Sequence, residues 1–335
     1  MTLPRAPGFQ NAKASGFIPE IYANQWNFRF YANTIASTIT NTRFQGLIQK
    51  QGDKIIIPTV PTIEWTKYHK GQKLEITGKL ESDPITMEIN RGQYFKFVQD
   101  DVDQAQSYVD AVKAALENSA RQGATRIDRE ILCDLPFHVS PCNQGCNAGA
   151  MSSGYNLGGL MATGCGPVEL VCGSDLCSND AINLLLDMIS VLEEQNVIGG
   201  DPSNPTGGGE GFWFVIPPFF KNLILKHPRF QNAYAMGDKQ SVLRNGKIGM
   251  IDGAEVLSSN LLPFYDESDG KGGVRRVWQI LAGHKMATTF ASQLTRKDYG
   301  MRSEQTFGDI YRQLQVYDWK VTNPEALVLA RVTKG

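Results

Sequence analysis

Residues 94–107 read YFKFVQDDVDQAQS, and this stretch joins two different patterns. The segment that leads into it, PITMEINRGQYFKFV (84–98), alternates apolar and polar residues with a period of two, which is typical of a β-strand. Residues 101–132 instead place apolar side chains at steps of three and four, which predicts one long amphipathic helix of roughly 45–50 Å at about 1.5 Å per residue. The stretch therefore predicts a strand that runs directly into a long helix, in an elongated rather than spherical molecule. The apolar positions of this helix are Val102, Ala105, Val109, Val112, Leu116, Ala120, Ile127 and Ile131.

Three carboxylates, Asp100, Asp101 and Asp103, lie at this junction. Such a cluster can hold a divalent cation, but a metal site would also need a second acidic or histidine cluster, and the sequence identifies none. Carboxylates at a helix start accept hydrogen bonds from unpaired N–H groups and interact favourably with the helix dipole, for about 0.3–1 kcal/mol each when exposed. We therefore interpret these residues as helix-start caps.

A hairpin is predicted before the junction. GDKIIIPTVP (52–61) and the alternating segment 84–98 are its two strands, and residues 62–83 between them carry mixed charge and few core residues. Because an isolated two-stranded ribbon is marginal in water, we expect another surface to order this arm; a mobile loop is the alternative. The candidate contact residues are Trp65, Lys67, Tyr68, Lys70, Lys73, Lys79 and Glu81.

The rest of the chain predicts a mixed fold. After residue 133, SNDAINLLLDMISVLEEQNV (178–197) predicts a helix and FWFVIPP (212–218) a buried strand, and this alternation indicates an α/β lobe. Residues 274–335 are rich in strand patterns again. The fold class is therefore α+β.

All six cysteines lie between residues 133 and 177. Their spacing matches no standard zinc signature, so free structural thiols, local disulfides and a metal site remain alternatives. A reducing compartment disfavours disulfides, although a particle released from the cell could oxidise. The candidate metal ligands are Cys142, Cys146, Cys165, Cys172 and Cys177.

Composition excludes several function classes. The formal net charge of -1 gives no basic surplus for sequence-independent DNA binding. No apolar run approaches the roughly 18–20 residues that span a bilayer, and the N-terminus lacks a secretory layout, so we expect a soluble chain made inside the cell. The metalloprotease, nucleophile-elbow and P-loop motifs are absent, and the four histidines are far apart in sequence. We predict no catalytic residue and no cofactor.

The order of four segments resembles the major capsid proteins of tailed bacteriophages, which have the HK97-like fold. The segments are GFIPEIYANQW, NTRFQGLIQKQGDKIIIP, YFKFVQDDVDQAQS with the long helix, and FGDIYRQLQVYDWKVTNPEAL. The resemblance covers residues 16–132 and 284–332, whereas the middle lobe matches only in position and length. It implies an N-terminal arm, an extended loop, a peripheral domain with a spine helix, and an axial domain. The implied ranges are 1–48 for the arm, 49–100 for the extended β-hairpin loop, 101–132 with 284–335 for the peripheral domain, and 133–283 for the axial domain.

The resemblance also implies a function and partners. Such proteins are structural, and their copies form hexamers and pentamers of an icosahedral shell that packages double-stranded DNA. A separate scaffolding protein, a portal, a possible cement protein and non-specific contact with the packaged DNA are the implied partners, with no membrane. The implied location is the virion, after synthesis in the host bacterial cytoplasm. The competing hypotheses are an accessory virion or adhesion protein that uses the hairpin for binding, and an enzyme with a cysteine-bound metal in residues 133–177.

Overall fold

The computed structural model describes residues 34–44, 54–59, 65–73, 84–102, 111–161, 164–170, 180–197, 211–227, 249–268, 273–304 and 306–334. The arm expected over residues 1–48 is thus described only between residues 34 and 44. The helices are α1 (Ala36–Ile39), α2 (Ala111–Asp134), α3 (Ala181–Glu194) and α4 (Pro218–Lys226), with short 3-10 turns at Leu135–Phe137, Pro141–Asn143, Lys285–Ala287 and Pro324–Ala326. The strands are β1 (Lys54–Ile57), β2 (Ile85–Glu88), β3 (Arg91–Asp100), β4 (Val168–Leu170), β5 (Phe212–Ile216), β6 (Met250–Ile251), β7 (Ala254–Ser258), β8 (Phe264–Ser268), β9 (Val274–His284), β10 (Thr288–Arg302), β11 (Gly308–Val321) and β12 (Leu327–Lys334).

The described strands form three sheets. β1 and β2 make a two-stranded antiparallel sheet, and β10, β11 and β3 make a three-stranded one in that order. The third sheet has seven strands in the order β4-β12-β9-β5-β7-β6, with β8 pairing the free half of β9. It is mixed, because β4 runs parallel to β12 and β5 parallel to β7. This mixture of helices and sheets agrees with the α+β class expected from the sequence.

The seven-stranded sheet carries the largest core. β5 is buried at every position, as its unbroken apolar run predicted, and α3 buries Ile182, Leu185, Ile189 and Leu192 against the sheet. These four positions recur at three- and four-residue steps, so the amphipathic helix expected over 178–197 is confirmed. Asp180 precedes α3, and its carboxylate lies 2.9 Å from Nε2 of the buried His227 at the end of α4.

The alternation expected over residues 84–98 is present, but it belongs to two strands. Met87 and Ile89 are buried whereas Thr86 and Glu88 are exposed. The chain leaves β2 at Glu88, the amide of Asn90 donates to Asp318 Oδ2 (3.0 Å), and β3 then pairs with β11 over ten residue pairs. Residues 91–100 therefore lie in the three-stranded sheet, which differs from the expected single hairpin over 49–100. A partner more than 200 positions away in the chain decides this assignment.

The C-terminal strand also differs from the expected domain division. β12 pairs with β9 from Leu327↔Gly283 to Thr333↔Val277 and with β4 through its last three residues. Residues 327–334 thus lie in the seven-stranded sheet and not with β10 and β11 in the three-stranded one. Strand periodicity alone carries no information on which of two sheets a strand joins, so this pairing lay outside what the pattern could predict.

Candidate assembly surface

The base of the predicted hairpin packs against β10 of the same chain. Ile55 and Ile57 on β1 and Met87 on β2 are buried together with Ala291 of β10. The register pairs Ile55 with Met87 and Ile57 with Ile85, so one face of the ribbon is apolar along its length. Burying this face orders a ribbon that would be marginal alone.

The distal part of the hairpin has the opposite character. Every described residue from 65 to 73 is exposed, including Lys67, Lys70 and Lys73. Trp65 is 100% exposed and Tyr68 is 65% exposed. Two large exposed aromatic side chains three residues apart are typical of interface anchors. Lys79 and Glu81 lie outside the described residues.

A tight turn shapes this distal part. The amide of Gln72 donates to the carbonyl of His69 (2.9 Å), and Gly71 between them has φ +87°. This positive φ is the one required at the third position of a type II turn, where glycine carries no steric cost. The turn lies directly after Tyr68 in the chain.

The two described carboxylates of the junction 94–107 have different settings. Asp100 is the last residue of β3, and its Oδ1 accepts from the amide of Val102 (2.9 Å), the bond expected of a cap at a helical start. Asp101 instead forms an ion pair with Arg302 at the end of β10, and its own amide donates to the carbonyl of Phe307 (3.1 Å). Asp103 lies outside the described residues. The junction is thus tied to the β10–β11 connection as well as to the helical turn.

The C-terminal half of α2 is locked onto β11. Tyr317 is buried, and its hydroxyl donates to Glu130 Oε2 (3.0 Å); burial and then this hydrogen bond raise the pKa of Tyr317 to about 12. One turn further along, Trp319 Nε1 donates to Asp134 Oδ2 (2.8 Å). The guanidinium of Arg91 lies 3.7 Å from the centre of the Trp319 ring, a favourable cation–π contact.

The N-terminal half of α2 is held more loosely. Val112 and Leu116 are only half-buried, whereas Ile127 and Ile131 near the other end are buried. Gln93 on β3 reaches the middle of the helix, where its Nε2 donates to the carbonyl of Gly123 (3.3 Å). Among the stripe positions that the structure describes, Ile127 and Ile131 are the buried ones.

Asp128 holds the start of α1 against α2, a role that the sequence patterns did not predict. It is 2% exposed, and its two carboxylate oxygens accept from the amides of Ile35 (2.7 Å) and Ala36 (3.2 Å) at the start of α1. Burial raises the pKa of Asp128, and the two backbone hydrogen bonds oppose that rise. The available signal was an ionisable residue beside Ile127 in the buried half of the stripe. Asp128 fastens the described end of the N-terminal segment to α2.

The structure shows which of the described cysteines form a disulfide and which are free. Cys146 and Cys165 form a disulfide with a Cα–Cα distance of 6.2 Å, while Cys133 and Cys142 are free and exposed. Cys172 and Cys177 lie outside the described residues. Among the part of the chain that is described, no group of three cysteine, histidine or carboxylate side chains is arranged to hold a metal ion.

Two histidines that are far apart in sequence line the same open cleft of about 830 Å³. His138 follows α2 and lies 3.5 Å from Asp134, while the buried His284 accepts from the amide of Met286 at Nδ1 (3.2 Å). The remaining wall includes the exposed Phe137. Residue types that could carry acid–base chemistry are thus present in this cleft.

Within the described residues, no helix combines the length and apolarity needed to cross a membrane.

Comparison with known proteins identifies the fold. No protein-family model matches the sequence, and no curated protein does. Solved structures match along nearly the whole chain: one from Mycobacterium phage Che8 has a TM-score of 0.65 at 21% identity and covers 93% of this chain and 96% of its own. The capsid of cyanophage P-SCSP1u has a TM-score of 0.62 at 13% identity, with 96% and 94% covered. The capsid of Ralstonia phage GP4 has a TM-score of 0.57 at 10% identity, with 99% and 98% covered.

The chain therefore has the fold seen in bacteriophage capsid structures. The two sides of each alignment are covered almost completely, so the likeness extends over the whole architecture and not over one shared lobe.

Proposed function

We propose that this chain is a major capsid protein whose copies form the hexamers and pentamers of an icosahedral phage head around double-stranded DNA. One observation carries the proposal: an architecture matched end to end by phage capsids presents an anchored arm with an exposed aromatic end. Trp65 and Tyr68 have apolar surface that the described part of their own subunit leaves uncovered. A neighbouring copy in a lattice is the natural partner for such an arm.

The remaining expectations are parts of the same proposal. The chain would be divided in the HK97-like way into an N-terminal arm, an extended loop, a peripheral domain with α2 as its spine helix, and an axial domain. A separate scaffolding protein, a portal and a possible cement protein would assist assembly. The packaged DNA would be contacted without sequence specificity, in keeping with a net charge of -1. Synthesis would take place in the host cytoplasm and the final location would be the virion.

The arm provides the direct test. The double variant Trp65→Ala/Tyr68→Ala is co-expressed with the candidate scaffolding protein and examined by negative-stain microscopy, beside the wild type and the conservative Trp65→Phe/Tyr68→Phe variant. We expect shells for wild type, few or none for the alanine variant, and partial recovery for the phenylalanine variant, since apolar area is what the contact buries.

Two outcomes would argue against the proposal. If the wild-type chain stays monomeric with its scaffolding partner and forms neither shells nor capsomers, the capsid role fails. If it stays monomeric but binds preformed shells through the arm, the accessory or adhesion role is favoured. Equal unfolding midpoints for the three monomers are the control that the substitutions act on assembly alone.

A further inference from the structure

The outer edge of β12 is covered by three successive stretches of one segment. Gln144 bridges to Leu329, the carbonyl of Leu157 accepts from the amide of Arg331 (2.8 Å), and β4 pairs with the last three residues of the strand. We call residues 144–161 and 164–170 the edge cover. An uncovered edge strand presents unpaired backbone groups to other chains, so this segment protects the seven-stranded sheet on that side.

The edge cover is shaped by backbone hydrogen bonds beside each cysteine. The amide of Leu157 donates to the carbonyl of Gly145, the neighbour of Cys146 (2.8 Å), and the amide of Gly159 donates to the carbonyl of Gly166, the neighbour of Cys165 (3.1 Å). Both bonds are independent of the sulfur atoms. They bring the two Cα atoms to 6.2 Å, within the range of about 4.4–6.8 Å that a disulfide spans.

The cover also packs against the protein without help from the sulfur atoms. Ala148 and Leu157 are fully buried in the main core, and Arg331 Nη2 donates to Gln144 Oε1 (3.1 Å). Both disulfide cysteines are half-buried, so a small reagent in solvent can approach them. The pair is therefore prearranged and accessible.

We propose that Cys146 and Cys165 are a reversible redox site that closes on an already folded edge cover and then fastens it over β12. The thiolate of one cysteine attacks a small-molecule disulfide such as oxidised glutathione and releases one small thiol. The second cysteine attacks the resulting mixed disulfide and releases the other small thiol. In sum, two protein thiols and one small disulfide become one protein disulfide and two small thiols. The closed form is the one in the structure.

The test compares the two redox states of the full-length chain. Protein kept under a phosphine reductant is divided, and half is oxidised with glutathione disulfide; both halves are blocked with N-ethylmaleimide and mapped by peptide mass spectrometry. We expect the Cys146–Cys165 peptide pair only in the oxidised half, with the same far-UV circular dichroism in both. Hydrogen exchange at the amides of Leu157, Gly159 and Arg331 should be about tenfold or more faster in the reduced half.

Matched variants complete the test. Cys165→Ser should exchange like the reduced wild type in either condition, whereas Cys133→Ser should retain the full redox response. The proposal is overturned if oxidation never joins Cys146 to Cys165, if the reduced chain loses its secondary structure, or if the three amides exchange at equal rates in both states. The redox comparison of wild type keeps its meaning even if Cys165→Ser fails to fold. None of these readouts depends on shell formation.

Discussion

At the scale of single residues, two carboxylates accept hydrogen bonds from backbone amides, but their pKa values are shifted in opposite directions. Asp128 is buried among apolar side chains of α2, and burial raises its pKa. Glu194 at the end of α3 is half-buried and accepts from the amides of Met151 (3.0 Å) and Ser152 (3.1 Å), and these bonds lower its pKa. Desolvation favours the protonated form in the first case, and hydrogen bonding favours the charged form in the second.

These opposite shifts predict opposite pH dependences. Because its folded pKa is raised, Asp128 contributes most to stability at low pH, and that contribution is lost as pH rises through the folded pKa. Glu194, whose folded pKa is lowered, contributes above its unfolded pKa and loses the contribution as pH falls. On going from pH 7 to pH 4, the melting temperature of wild type minus that of Asp128→Asn should increase, and the same difference for Glu194→Gln should decrease. Thermal melts of the three proteins check this; parallel changes in both differences would contradict it.

The Tyr317 hydroxyl provides a second prediction at this scale. Tyr317→Phe keeps the buried ring but removes the hydrogen bond to Glu130, so we expect a loss of about 1–2 kcal/mol in the free energy of unfolding. Tyr299→Phe is the matched control, because its hydroxyl donates to Gln313 (3.0 Å) at the surface and should cost less than about 0.5 kcal/mol. Urea denaturation measures both. Equal losses would mean that the buried hydrogen bond contributes no more to the free energy of unfolding than the exposed one.

At the scale of elements, α2 combines a buried end with a half-buried one. Ile131 is fully buried near the C-terminal end, and Leu116 lies half-buried four turns earlier. A helix of this length extends beyond the core that one subunit supplies. The stripe pattern was readable from sequence because it has helical periodicity. How much of it is buried depends on where β3 and β11 lie, and no local pattern encodes that.

The two ends of α2 should therefore respond differently to truncation. Ile131→Ala is expected to cost about 2–5 kcal/mol in the free energy of unfolding, as for other large-to-small core changes. Leu116→Ala should cost less than about 1.5 kcal/mol, because fewer contacts are lost at a half-buried site. Chemical denaturation of the isolated subunit separates them. A larger loss at Leu116 would show that the helix is packed along its whole length within one subunit.

The hairpin gives the other element-scale prediction. Replacing residues 62–83 by a short Gly-Ser linker should leave cooperative unfolding of the subunit unchanged, because the buried contacts of Ile55, Ile57 and Met87 at the base remain. The same variant should build no stable lattice if the proposed capsid role is right. Calorimetry tests the first expectation and electron microscopy the second. Loss of cooperative unfolding would place the removed residues in the core of the subunit.

At the scale of the whole molecule, the chain is built from strands that meet partners far away in sequence. β3 pairs with β11, β12 pairs with β9 and β4, and Asn41 bridges to Thr289. The near-complete alignment with phage capsids follows from that arrangement rather than from any motif. The proposed shell and the proposed redox site both depend on these long-range strand pairings.

The sequence by itself determined the local elements: the alternation of 85–89, the helices of 111–134 and 181–194, and the buried strand 212–216. It did so because burial on one face imposes a period of two or of 3.6, which is visible along the chain. Only the tertiary structure decided that residues 91–100 leave the hairpin for another sheet, that Asp128 holds Ile35, and that Cys146 meets Cys165. Each of these depends on a contact between distant segments, and neither the period of a strand nor the spacing of six cysteines specifies which distant segment that is.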